Sequence, residues 1–259
     1  MDFMSSLIKR LFVFVILFSN CPSYAHDIVD IVKVAKQSVV GIGIYDPIKA
    51  PQTSLHGTGF AVANGQYIVT NNHVIAKPLD ANAKQKRVVL AGVGRYPKMY
   101  EAYVVEVDEL HDLALLRISN KLKPFQLAGS NLIADGTEVA FTGFPIGAVL
   151  GLYPATHRGI IASSTPVIVP TEHSSQLDAK TLRRLRDPYL VYQMDATAYP
   201  GNSGSAVYEV DTGKVVAVIN KVFVKETKET ILSAPSGITY SIPVKYVRQL
   251  LRSANVEVD

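Results

Sequence analysis

Between Ser38 and Ile242 the chain is built from short apolar runs separated by turn residues at a spacing of about eight to twelve positions, the rhythm of a β-barrel or β-sandwich. The runs are "SVVGIGIYD", "RVVLAGV", "AYVVEVD", "LALLRIS", "EVAFTGF", "RGIIASS", "YLVYQMD" and "GITYSI", together with two hairpins. The first hairpin, "TGFAVANGQYIVT", turns at Asn64-Gly65, a pair that tolerates the positive φ angles of a tight turn. The second, "SAVYEVDTGKVVAVINKVFV", turns at Asp211–Gly213. Outside one long irregular stretch, helical periodicity is confined to the two ends. "HDIVDIVKVAKQ" (His26–Gln37) predicts a short N-terminal helix, and "VKYVRQLLRSA" after Pro243 a closing one, because proline suits the start of a helix. About a dozen short strands with no regular alternation of strand and helix argue against a βαβ fold, and the expectation is all-β. No internal repeat interrupts the pattern. The least regular stretch, Thr165–Asp187, reads as a long surface loop whose "TLRRLRDP" forms a short amphipathic helix with a solvated face.

A chain of 259 residues with 48% apolar content has core enough for one such domain. Its net charge of +4 is spread along the sequence, which argues against nucleic acid as a partner. Lys9 and Arg10 precede an apolar stretch from Leu11 to Phe18, and "SNCPSYA" follows with small residues at Ser23 and Ala25. This predicts a signal peptide over residues 1–25, cleaved after Ala25, and an exported protein, periplasmic or secreted. The apolar run is too short to span a bilayer, so no stable membrane insertion is expected after cleavage. The competing readings are a retained anchor and a lipid on Cys21; against the lipid, Asn20 occupies a position where a small residue is expected. Cys21 is the single cysteine. A chain starting at His26 therefore has no thiol, which removes cysteine-nucleophile chemistry and cysteine-based metal sites. No metal and no cofactor are expected.

One segment raises the question of chemistry. "YPGNSGSAVY" (Tyr199–Tyr208) sets Ser203 among glycines directly ahead of a strand. Taken alone, it reads more readily as an ordinary polar loop entering a strand than as a nucleophile on a sharp turn. A serine nucleophile needs a base, and the base needs a group that fixes its tautomer. The histidines are His26, His56, His73, His111, His157 and His173, and none follows Ser203, which excludes the α/β-hydrolase order. His56 lies in "LHGTGF", which resembles the subtilisin histidine motif but runs into a hairpin rather than a helix. Two places remain. "YIVTNNHVI" ends a predicted strand on His73, and "HDLALLRI" starts one at Asp112. The order His73, Asp112, Ser203 is that of chymotrypsin, with separations that suit groups on two barrels facing one cleft. Each residue also has an ordinary reading, as a strand-end histidine, a turn aspartate and a loop serine.

"TNNHVI", "HDLALLRI" and "GNSGSAV" resemble the three signatures of the Deg-type, or high-temperature-requirement, serine proteases, and the resemblance runs from Ile28 to Leu251. It implies a chymotrypsin-like double β-barrel over residues 26–259, dividing near residues 120–130. It also implies a serine endopeptidase that hydrolyses peptide bonds of unfolded or secreted polypeptides. In that reading His73 is the general base, Asp112 orients it, Ser203 is the nucleophile, and the N–H groups of Gly201 and Ser203 form the oxyanion hole. The substrate pocket would involve Asn220, Lys221, Val222, Gly237 and Thr239, with Ala198–Pro200 as a further wall. These mostly neutral segments suggest small or medium aliphatic side chains before the scissile bond; Asp195 would instead suit lysine or arginine if it floored the pocket. Two departures stand out. Ser205 occupies a position where the family usually has glycine, and no PDZ module follows, so a protease domain alone is expected. The same residues leave two other functions open, a protein-binding holdase with vestigial catalysis and an esterase using the same triad. N-terminal sequencing of the exported protein is expected to begin His-Asp-Ile. A start at lipidated Cys21 would overturn this reading.

Overall fold

The computed structural model describes residues 28–145, 151–167, 188–220 and 237–257. The apolar runs become strands because both faces of most of them are covered. In β7 (Leu113–Arg117), Leu113 and Leu115 face one cluster of buried side chains while Ala114 and Leu116 face another. The same alternation holds for Val39 and Val40 in β1 (Val39–Tyr45) and for Phe60 and Ala61 in β2 (Thr53–Val62). Side chains alternate across a strand, so a strand buried on both faces reads as a continuous apolar run.

The remaining strands are β3 (Tyr67–Asn71), β4 (Lys86–Ala91), β5 (Lys98–Glu101), β6 (Tyr103–Asp108), β8 (Glu138–Gly143), β9 (Ala155–Pro166), β10 (Leu190–Asp195), β11 (Ala206–Glu209), β12 (Val215–Asn220) and β13 (Ile238–Pro243). They form two antiparallel, barrel-like sheets. The first has the order β5-β4-β1-β2-β3-β7-β6, and the second closes as β10-β13-β12-β11-β8-β9. One apolar cluster lies between them, with Phe60, Val69 and Leu115 from the first sheet meeting Ala140, Tyr208 and Val218 from the second. The chain crosses from one sheet to the other after Arg117 and before Glu138. This crossover is stitched to both sides: the N–H of Phe125 donates to Ala61 (2.8 Å) and that of Ala128 to Val215 (2.8 Å).

Two helices close the ends. α1 (Ile28–Ser38) buries Ile31, Ala35 and Ser38. α3 (Val244–Ser253) buries Val244, Val247, Leu250 and Leu251, spaced to form one helical face. Arg248 on α3 donates to the carbonyls of Ala128 (2.7 Å) and Leu127 (3.1 Å), which ties the closing helix to the crossover.

The sequence reading of an all-β chain with a helix at each end therefore stands, with local differences. β5 had no counterpart among the expected strands, since Pro97 and an exposed, polar composition hide a short edge strand. β9 begins earlier and ends later than "RGIIASS" suggested. The signal segment, residues 168–187 of the long loop with its basic helix, and Lys221 and Val222 lie outside the described residues.

A histidine locks α3 onto the first sheet. The ring of His111 stacks on Tyr246 (centroids 3.9 Å apart, planes at 21°) and meets the edge of Tyr189 at 4.5 Å. Asp108 fixes that ring, accepting from the His111 N–H at 3.0 Å and pairing with Nδ1 at 2.5 Å. Burial by itself would raise the Asp108 carboxyl, but the hydrogen bonds and charge of His111, with the N–H of Leu110, outweigh it and hold Asp108 below the usual carboxylate range. The unfolded chain thus binds this proton more readily than the folded one. The stabilisation is present above the unfolded pKa and is lost as pH falls through the folded one. Asp108→Asn is expected to cost about 1–2 kcal/mol near pH 7, with the deficit shrinking toward about pH 3. Urea denaturation at both pH values checks this, and a deficit of equal size in acid would exclude the carboxylate as its source.

Candidate active site

β3 ends at Asn71 and the chain turns at once into the single helical turn α2 (Asn72–Ile75). His73 therefore sits on a helix, not at the end of a strand as the sequence suggested. Val74 and Ile75 are buried in the first barrel and hold the turn down, leaving the His73 side chain 35% exposed. Asp112 precedes β7 with φ of +54°, a left-handed conformation that aspartate tolerates better than most residues. Its carbonyl accepts from the N–H of Asn72 and from Asn71 Nδ2, both at 3.1 Å, so the two turns brace each other.

The Asp112 carboxylate, 7% exposed, is the best-connected group of the site. Oδ1 accepts from the His73 N–H at 2.9 Å, Oδ2 pairs with His73 Nδ1 at 2.6 Å, and Asn220 Nδ2 donates to Oδ2 at 3.0 Å. A carboxylate only accepts, so Nδ1 carries the proton and Nε2 keeps its lone pair. Among the described residues, the hydrogen bonds of His73 go to Asp112 alone. The other histidines have different roles. His111 is tied to Asp108, and His157 stacks on Phe141 at 4.9 Å.

Ser203 lies in a tight turn between Tyr199 and β11. The N–H of Asn202 donates to Tyr199, that of Ser205 to Asn202 and that of Gly204 to Ile219, each at 3.0 Å. Among the described residues the N–H groups of Gly201 and Ser203 have no backbone acceptor, although their neighbours do. Thr58 of β2 rivets this turn to the first barrel. Its N–H donates to the Ser203 carbonyl at 2.9 Å, and its hydroxyl donates to the Gly201 carbonyl at 2.7 Å while accepting from the Phe144 N–H at 3.1 Å. A Cβ on Gly57 would lie 2.7 Å from Val74 Cγ2 and 3.0 Å from the Ser203 carbonyl oxygen, so the serine turn and the histidine turn are neighbours. Gly204 is obligatory here. It has φ of +86°, and a Cβ would fall 2.1 Å from the Thr58 carbonyl oxygen.

The residues expected around a substrate pocket divide. Asn220, at the end of β12, turns its amide onto Asp112. Thr239 braces the segment before the serine turn, donating to the Ala196 carbonyl at 2.6 Å and accepting from the Ala198 N–H at 3.1 Å. Gly237 accepts from the Ala196 N–H at 3.0 Å and has open space where a side chain would be. Asp195 is exposed at the end of β10, which does not suit a buried pocket floor. Sequence reasoning missed Thr58 and Asn71, which carry no chemistry of their own; only their places beside the motifs mark them.

Ser205 is accommodated by an absence across the sheet. Its buried hydroxyl lies 2.1 Å from where a Cβ on Gly143 of β8 would stand, and Asn202 Oδ1 lies 2.8 Å from the same point. Gly143→Ala is expected to destabilise the fold by about 2 kcal/mol or more through this overlap. Combining it with Ser205→Gly should return part of that loss, giving a coupling energy above about 0.5 kcal/mol in a denaturation cycle. Strict additivity would show that the two positions do not compete for space.

Comparison with known proteins gives a consistent picture. Residues 57–218, more than half of the chain, match the trypsin-like peptidase domain. The mitochondrial serine protease HTRA2 of Drosophila virilis is 30% identical over 234 residues, covering 88% of this chain and 48% of that protein. Serine protease HTRA1A of Danio rerio is 29% identical over 230 residues, covering 86% of this chain and 40% of its own length. The chain thus spans about half the length of the curated relatives it matches. Among solved structures, the HtrA-type protease AlgW with decapeptide superposes with a TM-score of 0.64 at 23% identity, covering 88% of this chain and 67% of that one. With a one-turn helix, a left-handed aspartate and a glycine-flanked serine meeting where two antiparallel barrels join, this chain belongs to the trypsin-like peptidase family, and its relatives are HtrA-type serine proteases.

Proposed function

We propose that the chain is an exported serine endopeptidase that cleaves unfolded or secreted polypeptides through His73, Asp112 and Ser203. The observation that carries this is the double hydrogen bond from His73 to Asp112, 2.9 Å from the backbone N–H and 2.6 Å at Nδ1. Two contacts to one carboxylate fix both the ring's orientation and its tautomer, the arrangement a general base requires.

In the reaction, Ser203 Oγ attacks the scissile carbonyl carbon while its proton passes to His73 Nε2. Asp112 stabilises the resulting imidazolium without taking its proton. The carbonyl oxygen becomes an oxyanion, for which the N–H groups of Gly201 and Ser203 are suited because backbone acceptors leave them unused. His73 then gives the proton to the departing amine, the C–N bond breaks, and an ester to Ser203 remains. Water, deprotonated by the same histidine, hydrolyses that ester and returns Ser203 to its hydroxyl form. All the chemistry is proton transfer and acyl transfer between groups of this chain and the peptide.

Ser203→Ala is expected to lower turnover of unfolded casein on the order of 10⁶-fold while keeping the thermal transition. Asp112→Asn should fall roughly 10⁴-fold, because an amide can hold His73 in the wrong tautomer. A fluorophosphonate should label wild type and spare Ser203→Ala. Labelling with ester hydrolysis but no peptide cleavage would indicate an esterase; no labelling at all would indicate a binding protein.

A further inference from the structure

A second carboxylate stands behind Asp112. β6 ends at Asp108, β7 begins at Leu113, and these two residues face each other across the antiparallel pair. Residues 109–112 are therefore the loop of a hairpin, and Asp112 is its last residue. Hairpin loops of this length are usually built around a type I turn, whose first position favours aspartate. Asp108 fills that position. Its Oδ1 accepts from the N–H of His111 at 3.0 Å, and its Oδ2 pairs with His111 Nδ1 at 2.5 Å. Asp112 holds His73 in the same way, with one oxygen on the backbone N–H and the other on Nδ1. The two histidines differ in their surroundings. The His73 side chain is 35% exposed, whereas that of His111 is 11% exposed and closed in by Tyr246 and Tyr189. His111 is thus placed to fix the loop and not to meet a substrate.

We propose that Asp108 is a positioning residue for the reaction: through His111 it sets the left-handed conformation of Asp112, and with it the carboxylate that orients His73. The inference rests on the peptidase reading above and deepens it. Asp112 has φ of +54°, and a sparsely populated conformation of this kind persists only where its surroundings over-determine it. Behind its Cα, the bonds from Asn72 and Asn71 hold the Asp112 carbonyl, and strand pairing resumes at Leu113. Ahead of its Cα, the hold comes from Asp108, through the N–H groups of His111 and Leu110. The stack of His111 on Tyr246 then docks the same loop on α3, so the loop cannot turn as a unit. Released from Asp108, Asp112 is free to relax to a negative φ, which redirects its Cβ. A contact of 2.6 Å to His73 Nδ1 does not survive that redirection. A misplacement of about 1 Å transmitted to a reacting group costs on the order of 10²-fold in rate.

The experiment is a series at one position. Asparagine keeps an acceptor for the His111 N–H, serine keeps a weaker one, and alanine has none. On an aminocoumarin peptide with valine before the cut, kcat should fall in the order wild type, Asp108→Asn, Asp108→Ser, Asp108→Ala. Asp108→Asn should stay within about threefold of wild type and Asp108→Ala should lose on the order of 10²-fold, with KM changed less than about threefold in both. Ile31→Ala, on α1 against the β11–β12 turn, is the control for stability alone. It should lower the thermal transition and leave kcat unchanged. Full kcat in Asp108→Ala overturns the proposal, as does an equal loss in Ile31→Ala. Should Asp108→Ala not fold, equal kcat in the asparagine and serine variants overturns it. The hold on His73 is also read without catalysis. In Ser203→Ala protein carrying isotope-labelled histidine, the Nδ1 proton shared with Asp112 gives a downfield resonance, identified by its loss in Asp112→Asn. Adding Asp108→Ser should move or broaden it, and adding Asp108→Asn should not. That result supports the proposal even if no peptide is hydrolysed, which would count against the peptidase reading alone; a resonance unmoved by Asp108→Ser overturns it.

Discussion

Everything in the site is organised around one buried carboxylate. Asp112 carries a charge into a place that is nearly closed to water, and such a charge is tolerated only when donors replace its hydration. Three do so: the His73 N–H, the His73 ring and the Asn220 amide. The first two come from the first barrel and the third from the second. The demand for hydrogen bonds by one carboxylate therefore aligns the histidine turn with the end of β12 and fixes the two barrels against each other at the point where chemistry is proposed.

Thr58 performs the matching task for the serine. Its hydroxyl and N–H bind the carbonyls of Gly201 and Ser203, the residues on either side of Asn202, and so hold the turn against the first barrel. The N–H groups of the same two peptide units, those of Asn202 and Gly204, donate to Tyr199 and Ile219, which leaves the N–H groups of Gly201 and Ser203 without a backbone acceptor among the described residues. The segment that carries Ser203 is thus positioned by a residue outside the proposed chemistry, and a loss at Thr58 would act through geometry.

What was legible in the sequence follows from how local each signal is. Strands covered on both faces, such as β7 and β12, announce themselves as unbroken apolar runs. The turn through Asn64-Gly65 is equally plain, because Gly65 takes a φ of +85° that few other residues adopt, although the second positive φ falls on Ala63 and not on Asn64. Non-local features were not visible. The helical turn at His73 is a four-residue element stabilised by burial of Val74 and Ile75, and no periodicity can register at that length. The sequence marked Asn220 only as a residue of the substrate pocket; that its amide meets Asp112, 108 positions away, is a pairing that only the closed second barrel brings about. Ser205 read as a departure from the family pattern; the space it needs comes from Gly143 on the neighbouring strand, a compensation visible only once β8 and β11 are paired.

The turn that holds Ser203 is ordered by neutral contacts. Asn202 is fully buried, and among the described residues neither atom of its side-chain amide has a hydrogen-bond partner. An unsatisfied buried amide is a cost, of about 1–3 kcal/mol, and it opposes the conformation in which it occurs. The conformation is kept because the backbone over-determines it: Asn202, Gly204 and Ser205 each donate within the turn or to β12, and Thr58 holds two of its carbonyls from outside. A neutral residue at this place makes no ion pair, so the order of the turn does not depend on a charged group brought from elsewhere in the chain. It depends on the seam between the barrels. Whatever tightens that seam acts on the Thr58 contacts that hold the carbonyls of Gly201 and Ser203. The packing of the two barrels and the order of the serine turn are in this way mechanically one problem.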